Sequence, residues 1–196
     1  MRDEKEGALL VRCNGGHDRF ADREAAGAKA ENAVSALLTR RDYSVTKLAA
    51  PTHGDEHCPR LIMELAGLVV APDLLAVRPN GRSLLIAVKA KSAWAWHGRS
   101  RAWTTGISAA ELNGYAAAEA ATGLPVVLAF VMPGAGDRPV YRAPAPPSGV
   151  FAGHLRRLRT RSSHVWGRGA GAMIFWTSAG LCRVPGLDDL EPGVTQ

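Results

Sequence analysis

Residues 70–91 read VAPDLLAVRPNGRSLLIAVKAK, and the organisation of the chain follows from how this stretch folds. Residues 68–77 are almost continuously apolar around Pro72-Asp73, which reads as a strand carrying that dipeptide. Pro79-Asn80-Gly81 is a turn signal between two apolar runs, so a hairpin is expected. The returning strand, 83–91, is apolar at successive positions along 84–88, as in a strand covered on both faces. Side chains alternate along a strand, so Leu85, Ala87, Lys89 and Lys91 share one face. Asp73, on the partner strand, approaches positions 87 and 89 across the pair.

The flanking segments extend this hairpin into a sheet. Residues 21–41 are rich in helix formers, with Ala30, Val34, Leu37 and Leu38 at helical spacing. Residues 43–48 alternate and are β-branched, which predicts a strand. Residues 50–67 read as an irregular insert whose second half forms a short helix stopped by Gly67. After the lysines, 92–107 is a loop rich in Trp and Arg. Ser108 and Glu111 make a capping box that opens a helix running to about Thr122, with Gly123 as its stop. Residues 124–132 are a buried-type strand, and 133–149 a Pro/Gly-rich surface connection. A basic segment with helical character over 153–161 follows. Residues 172–177 and 181–184 flank Ser178-Ala179-Gly180 as a closing hairpin, and the last ten residues read as a tail.

Helix, three strands, helix, strand is the expected order. A strand–helix–strand crossover implies an α/β fold, a mixed sheet flanked by helices. A single domain over 1–196 is predicted, with a core of about 22–132 and an extension of about 133–196.

Composition is globular, with 46% hydrophobic and 21% charged residues in 196. The net charge of +6 and the pI near 9.6 favour a polyanionic partner, nucleic acid first. Abundant Ala, Gly, Arg and Pro offer the other source of that charge, a GC-rich coding sequence. Three widely spaced cysteines (Cys13, Cys58, Cys182) make no disulfide framework and point to a reducing cytoplasm. The first residues do not resemble a signal peptide, and no apolar run approaches the roughly 20 residues that span a bilayer. Cys13, His17, His53, His57 and Cys58 have zinc-type spacings, weakened by the long loop between the two groups.

The chemistry lies at the hairpin. A hard cation such as Mg²⁺ or Mn²⁺ takes oxygen ligands. Asp73, an acid at position 87 and the Val88 carbonyl would supply them, with Lys89 beside a metal-bound water. This arrangement resembles the PD-(D/E)xK nuclease superfamily, and within it the archaeal Holliday-junction resolvase and restriction-endonuclease-like branch. Pro72-Asp73, the spacing to Ala87-Val88-Lys89, and Glu31 on the first helix carry the resemblance, which covers roughly residues 22–132. It implies an αβββαβ core, phosphodiester hydrolysis in DNA, action as a homodimer, and Glu31 as an accessory acid and metal ligand. No small-molecule cofactor is implied.

Ala87 is the departure, because the family carries Asp or Glu there and Ala binds no metal. Three readings stand: an engineered Glu→Ala change that disables an endonuclease, a natural pseudo-nuclease that binds DNA without cutting, and a chance match. Lys91, Trp96, Arg99, Arg101 and Trp103 are the expected DNA contacts beside the site, with Trp94 or Trp96 given to the core. Arg156, Arg157, Arg159, Arg161 and Arg168, with His154 and His164, form a second basic cluster, in a segment free of acids from Phe151 to Gly186. Glu111 is accounted for as the capping-box acid.

Overall fold

The structure is a computed structural model, which describes residues 15–48, 61–63, 67–69 and 71–185. Helix α1 (Gly15–Thr39) opens the described chain. Its Ala30, Val34 and Leu37 are buried against Leu74, Ala76, Ile86 and Val88. Strand β1 (Ser44–Lys47) follows, then β2 (Leu61–Met63) and β3 (Gly67–Val69), a two-stranded pair. Where the sequence predicts a short helix late in the 50–67 insert, the described residues 61–63 are strand. A helical nucleus fixes three residues for its first hydrogen bond, whereas here cross-strand pairing holds the short segment.

The strand expected over 68–77 is divided, with β3 ending at Val69 and β4 spanning Leu74–Val77. Pro72 has no N–H to give a ladder, so Pro72-Asp73 precedes β4. Asp73 nevertheless lies between two strands. Its N–H donates to the Ile86 carbonyl at 2.9 Å, and its carbonyl accepts from the Leu48 N–H at 2.8 Å. The turn before β5 (Ser83–Ala90) closes with the Gly81 N–H on the Arg78 carbonyl, and Gly81 takes a φ of 79° that glycine alone adopts freely.

The segment expected as a loop after the lysines is a hairpin, β6 (Ala95–His97) and β7 (Ala102–Ser108). Helix α2 (Ala109–Thr122) has the expected capping box and the left-handed Gly123. Then come β8 (Val126–Pro133), β9 (Ser148–His154), α3 (Leu155–Thr160), β10 (His164–Trp166), β11 (Met173–Thr177) and β12 (Cys182–Val184). The helical reading of 153–161 keeps only α3, because residues 148–154 add a strand to the main sheet.

The fold is mixed α/β. The six-stranded main sheet runs β1-β4-β5-β8-β9-β12, with β5 and β8 parallel and every other pair antiparallel. The expected αβββαβ order is α1, β1, β4, β5, α2, β8. Strand β5 is central, with Ile86 and Val88 toward α1 and Leu85 and Ala87 toward α2. A second sheet runs β10-β11-β7-β6. The closing hairpin expected at 172–184 does not form: β11 pairs with β7 and β10, while β12 pairs with β9. Three buried indoles tie the layers together. The Nε1 groups of Trp94, Trp103 and Trp176 donate to the carbonyls of Pro147 (2.6 Å), Pro144 (2.8 Å) and Leu158 (2.8 Å).

Candidate functional site

Antiparallel register sets the site. Leu74 pairs with Ile86 and Leu75 with Leu85, and the regular ladder ends there: the Asp73 N–H donates to the carbonyl of Ile86, the residue that Leu74 already faces. Asp73 thus lies beside the 86–88 stretch of β5, where Ala87 packs toward α2 and Lys89 follows on the same face as Ala87. Asp73 Oδ2 accepts the Val88 N–H at 2.6 Å. Burial pushes the Asp73 carboxyl above its ordinary range, with the Val88 N–H and Lys89 pulling the other way and Glu111 adding to the rise.

Lys89 projects toward α2. Its Nζ donates to Glu111 Oε1 at 2.9 Å and lies 5.2 Å from the centroid of the Tyr115 ring. Burial alone would lower the Lys89 ammonium, but the Tyr115 oxygen and Glu111 outweigh it and hold the pKa up. Glu111 is lowered despite its burial, because Lys89 and the Ser108 N–H and hydroxyl stabilise its charge. Tyr115 is raised, chiefly by burial. The Lys89 side chain keeps 20% of its surface exposed, so solvent reaches the group.

Glu31 comes from α1, half-buried, with Lys47 Nζ 3.8 Å from its Oε2. Burial and the negative charge of Asp73 raise its pKa. The three expected residues Asp73, Lys89 and Glu31 are thus electrostatically coupled through Asp73. The sequence explains Glu111 by its capping role and leaves it and Tyr115 only weak candidates for the site, although Glu111 is the single acid between Asp73 and Glu119. One carboxylate serves both purposes, with Oε2 capping α2 at Ser108 and Oε1 meeting Lys89.

The donors for a divalent cation are incomplete. Ala87 is 0% exposed and packs in an apolar cluster with Leu112 and Tyr115. Asp73 is engaged by the Val88 amide, and both Glu111 oxygens are occupied. Among the described residues no three His, Cys, Asp or Glu converge as metal ligands. The chain as it stands does not fit the Mg²⁺ or Mn²⁺ site.

The expected DNA contacts divide. Trp103 is 5% exposed and hydrogen-bonded to Pro144, so it is a core residue and offers no stacking face. Of the two candidates for the core, Trp94 is fully buried, and half-buried Trp96 sits edge-on to Trp103 at 4.9 Å. Lys91 turns inward and donates to the Gly106 carbonyl at 2.7 Å; burial lowers its pKa. Arg99 and Arg101 are exposed in the β6–β7 turn. Arg156 holds Glu119 Oε1 at 2.7 Å, while Glu119 Oε2 accepts the Val126 N–H. The acid-free stretch from 151 to 186 therefore meets an acid supplied by α2. Arg157 approaches Cys182 Sγ at 4.0 Å, and Arg159 and Arg161 are exposed. The zinc-type spacing falls on Cys13, His53, His57 and Cys58, outside the described residues; His17 lies on α1. Among the described residues no helix is long and apolar enough to cross a membrane.

No family model matches the chain, and no curated protein matches it. Among solved structures it is similar to Hjc of Archaeoglobus fulgidus, a Holliday junction resolvase from an archaeal hyperthermophile. The identity is 12%, over 79% of this chain and 90% of that one, and the TM-score is 0.48.

Proposed function

We propose that the chain is a DNA-binding protein built on a phosphodiester-hydrolysing endonuclease site that Ala87 disables. One observation carries this reading: Asp73 Oδ2 accepts the N–H of Val88, the residue between Ala87 and Lys89 on β5. A carboxylate at 87 would stand near Asp73 and complete the pair of acids that a hard cation needs. Mg²⁺ or Mn²⁺ is the proposed cofactor of that restored form, and branched DNA its proposed substrate. Cutting both strands symmetrically calls for two sites related by a two-fold axis, hence a homodimer.

A second reading, a pseudo-nuclease that binds DNA and never cuts, draws on the site's closure. Ala87 is sealed in apolar contacts and Lys89 is held by Glu111. The Ala87→Glu variant decides between the two. It is assayed on plasmid and branched DNA with Mg²⁺ or Mn²⁺, alone and combined with Asp73→Ala or Lys89→Ala. Cleavage that appears with Glu and disappears in both double variants supports the endonuclease. Binding without cleavage leaves the second reading. Absence of DNA affinity in parent and variant refutes both.

A further inference from the structure

The second sheet carries an aromatic and cationic surface that the hydrolytic site does not use. Strand β10 exposes Trp166 (72%) and Val165 (56%), and Trp166 is among the most exposed large apolar residues of the described chain. Two residues before Trp166, on the same face of the strand, His164 stacks between two other rings. Its ring lies 3.8 Å from His97 at 7° and 4.6 Å from Phe175 at 3°. The His97 contact brings the β6–β7 turn against β10, and with it the exposed Arg99 and Arg101. Arg161 and Arg168 flank β10 and are exposed as well. No acid occurs between residues 89 and 110 or between 151 and 186, and none of these four arginines forms an ion pair among the described residues.

Register connects this surface to the site. Trp166 pairs with Met173, and Met173 with Ser108, so the three lie in one row across β10, β11 and β7. Two strand spacings of about 4.8 Å place the Trp166 backbone roughly 10 Å from Ser108. Ser108 caps the helix whose Glu111 holds Lys89. About three nucleotides of a stacked strand, at roughly 3.4 Å each, cover that distance. Exposure grows along the row, from Ser108 and Met173, both partly buried, to Trp166 at the sheet edge.

We propose that this face binds an unpaired DNA strand, with a base stacked on Trp166 and the four arginines meeting its phosphates. Resting on the DNA-binding reading above, the inference specifies a substrate with a single-stranded segment next to the site. Flat rings beside cations suit unpaired bases, whose faces are free, whereas a duplex hides them. No hydrogen-bond readout is needed, so the surface tolerates any sequence.

The test uses the full chain and fluorescence anisotropy with two probes, a labelled oligothymidine and a blunt duplex of equal length. Trp166→Ala is expected to weaken oligothymidine binding roughly fivefold or more, the low end of base–aromatic stacking. Duplex binding should stay within about twofold, and Trp166→Phe should recover most of the oligothymidine affinity. An unchanged oligothymidine affinity in Trp166→Ala overturns the inference, as does an equal loss on both probes. Either result leaves the DNA-binding reading intact as long as the parent binds the duplex. Failure of the parent to bind either probe refutes both. Because Trp166 is exposed, its variants should melt like the parent, and a melt confirms this before binding is compared.

Discussion

Replacing Ala87 by Glu places a second carboxylate in a position with 0% exposure, next to Val88, whose N–H donates to Asp73 Oδ2. Side chains that neighbour each other across adjacent antiparallel strands lie about 5 Å apart. Two unit charges at that distance repel by about 3 kcal/mol at an effective dielectric constant of about 20. At neutral pH and with metal chelated, the variant should therefore be less stable than the parent by about that amount. For a chain of this size the melting temperature falls by roughly 2–4 °C per kcal/mol, so a drop of about 6–12 °C is expected. Two signatures separate this repulsion from plain overpacking. First, the deficit should shrink on acidification, since a carboxyl whose folded pKa is raised loses stability as pH rises through that pKa and regains it as pH falls. Second, Mg²⁺ should return about 2.7 kcal/mol at one hundred times its dissociation constant, and nothing to the parent. Thermal melts of both proteins in chelator and in Mg²⁺, between pH 5 and 8, measure all of this. A variant as stable as the parent in chelator, or one with no Mg²⁺-dependent gain, would show that position 87 does not complete a cation site with Asp73. A parent stabilised by Mg²⁺ to the same extent would show that the acid was never missing.

Three further outcomes are expected. Asp73→Asn keeps an oxygen for the Val88 N–H and removes the buried charge. The Asp73 pKa is raised on folding, so its ionisation destabilises the fold as pH rises above the ordinary carboxylate range. The Asn variant should accordingly melt at or above the parent temperature at pH 7–8 and show a flatter pH profile, and a clear loss of stability there would contradict the burial argument. Trp103→Ala should cost about 3–5 kcal/mol in denaturant unfolding, because it empties a core position and drops the Pro144 hydrogen bond; loss of DNA affinity with stability unchanged would restore Trp103 as a binding residue. Arg99→Ala with Arg101→Ala should reduce the slope of log affinity against log salt by roughly 0.7 for each single-strand phosphate that an arginine no longer neutralises, and a salt titration showing no change would remove the β6–β7 turn from the interface.

Local chemistry made part of this protein legible in its sequence. The Ser108–Glu111 capping box and Gly123 placed α2 because each signal acts within a few residues on the helix's own backbone. The run 84–88 revealed a central strand because covering both faces removes the alternation. The spacing of Ala30, Val34 and Leu37 showed which face of α1 is buried. Misreadings came where distant partners decide. Residues 102–108 form a strand because β11 lies alongside, and 95–97 then pair with 102–104 as a hairpin. Residues 173–177 and 182–184, so close in sequence, part into different sheets because each finds its partner elsewhere. A run free of acids is likewise no promise of a free cationic face, since Glu119 reaches Arg156 from another element.

The sequence by itself determined that Asp73, Ala87 and Lys89 fall on one hairpin, because strand alternation and a turn signal are local rules. Only the tertiary structure decided what surrounds them. It bound Asp73 to the Val88 amide beside Ala87, gave Lys89 to Glu111, buried Trp103, and carried Trp166 into the row that ends at Ser108. Those relations join residues tens of positions apart, and they follow from which strands and helices find room to pack together. No window of sequence contains that information.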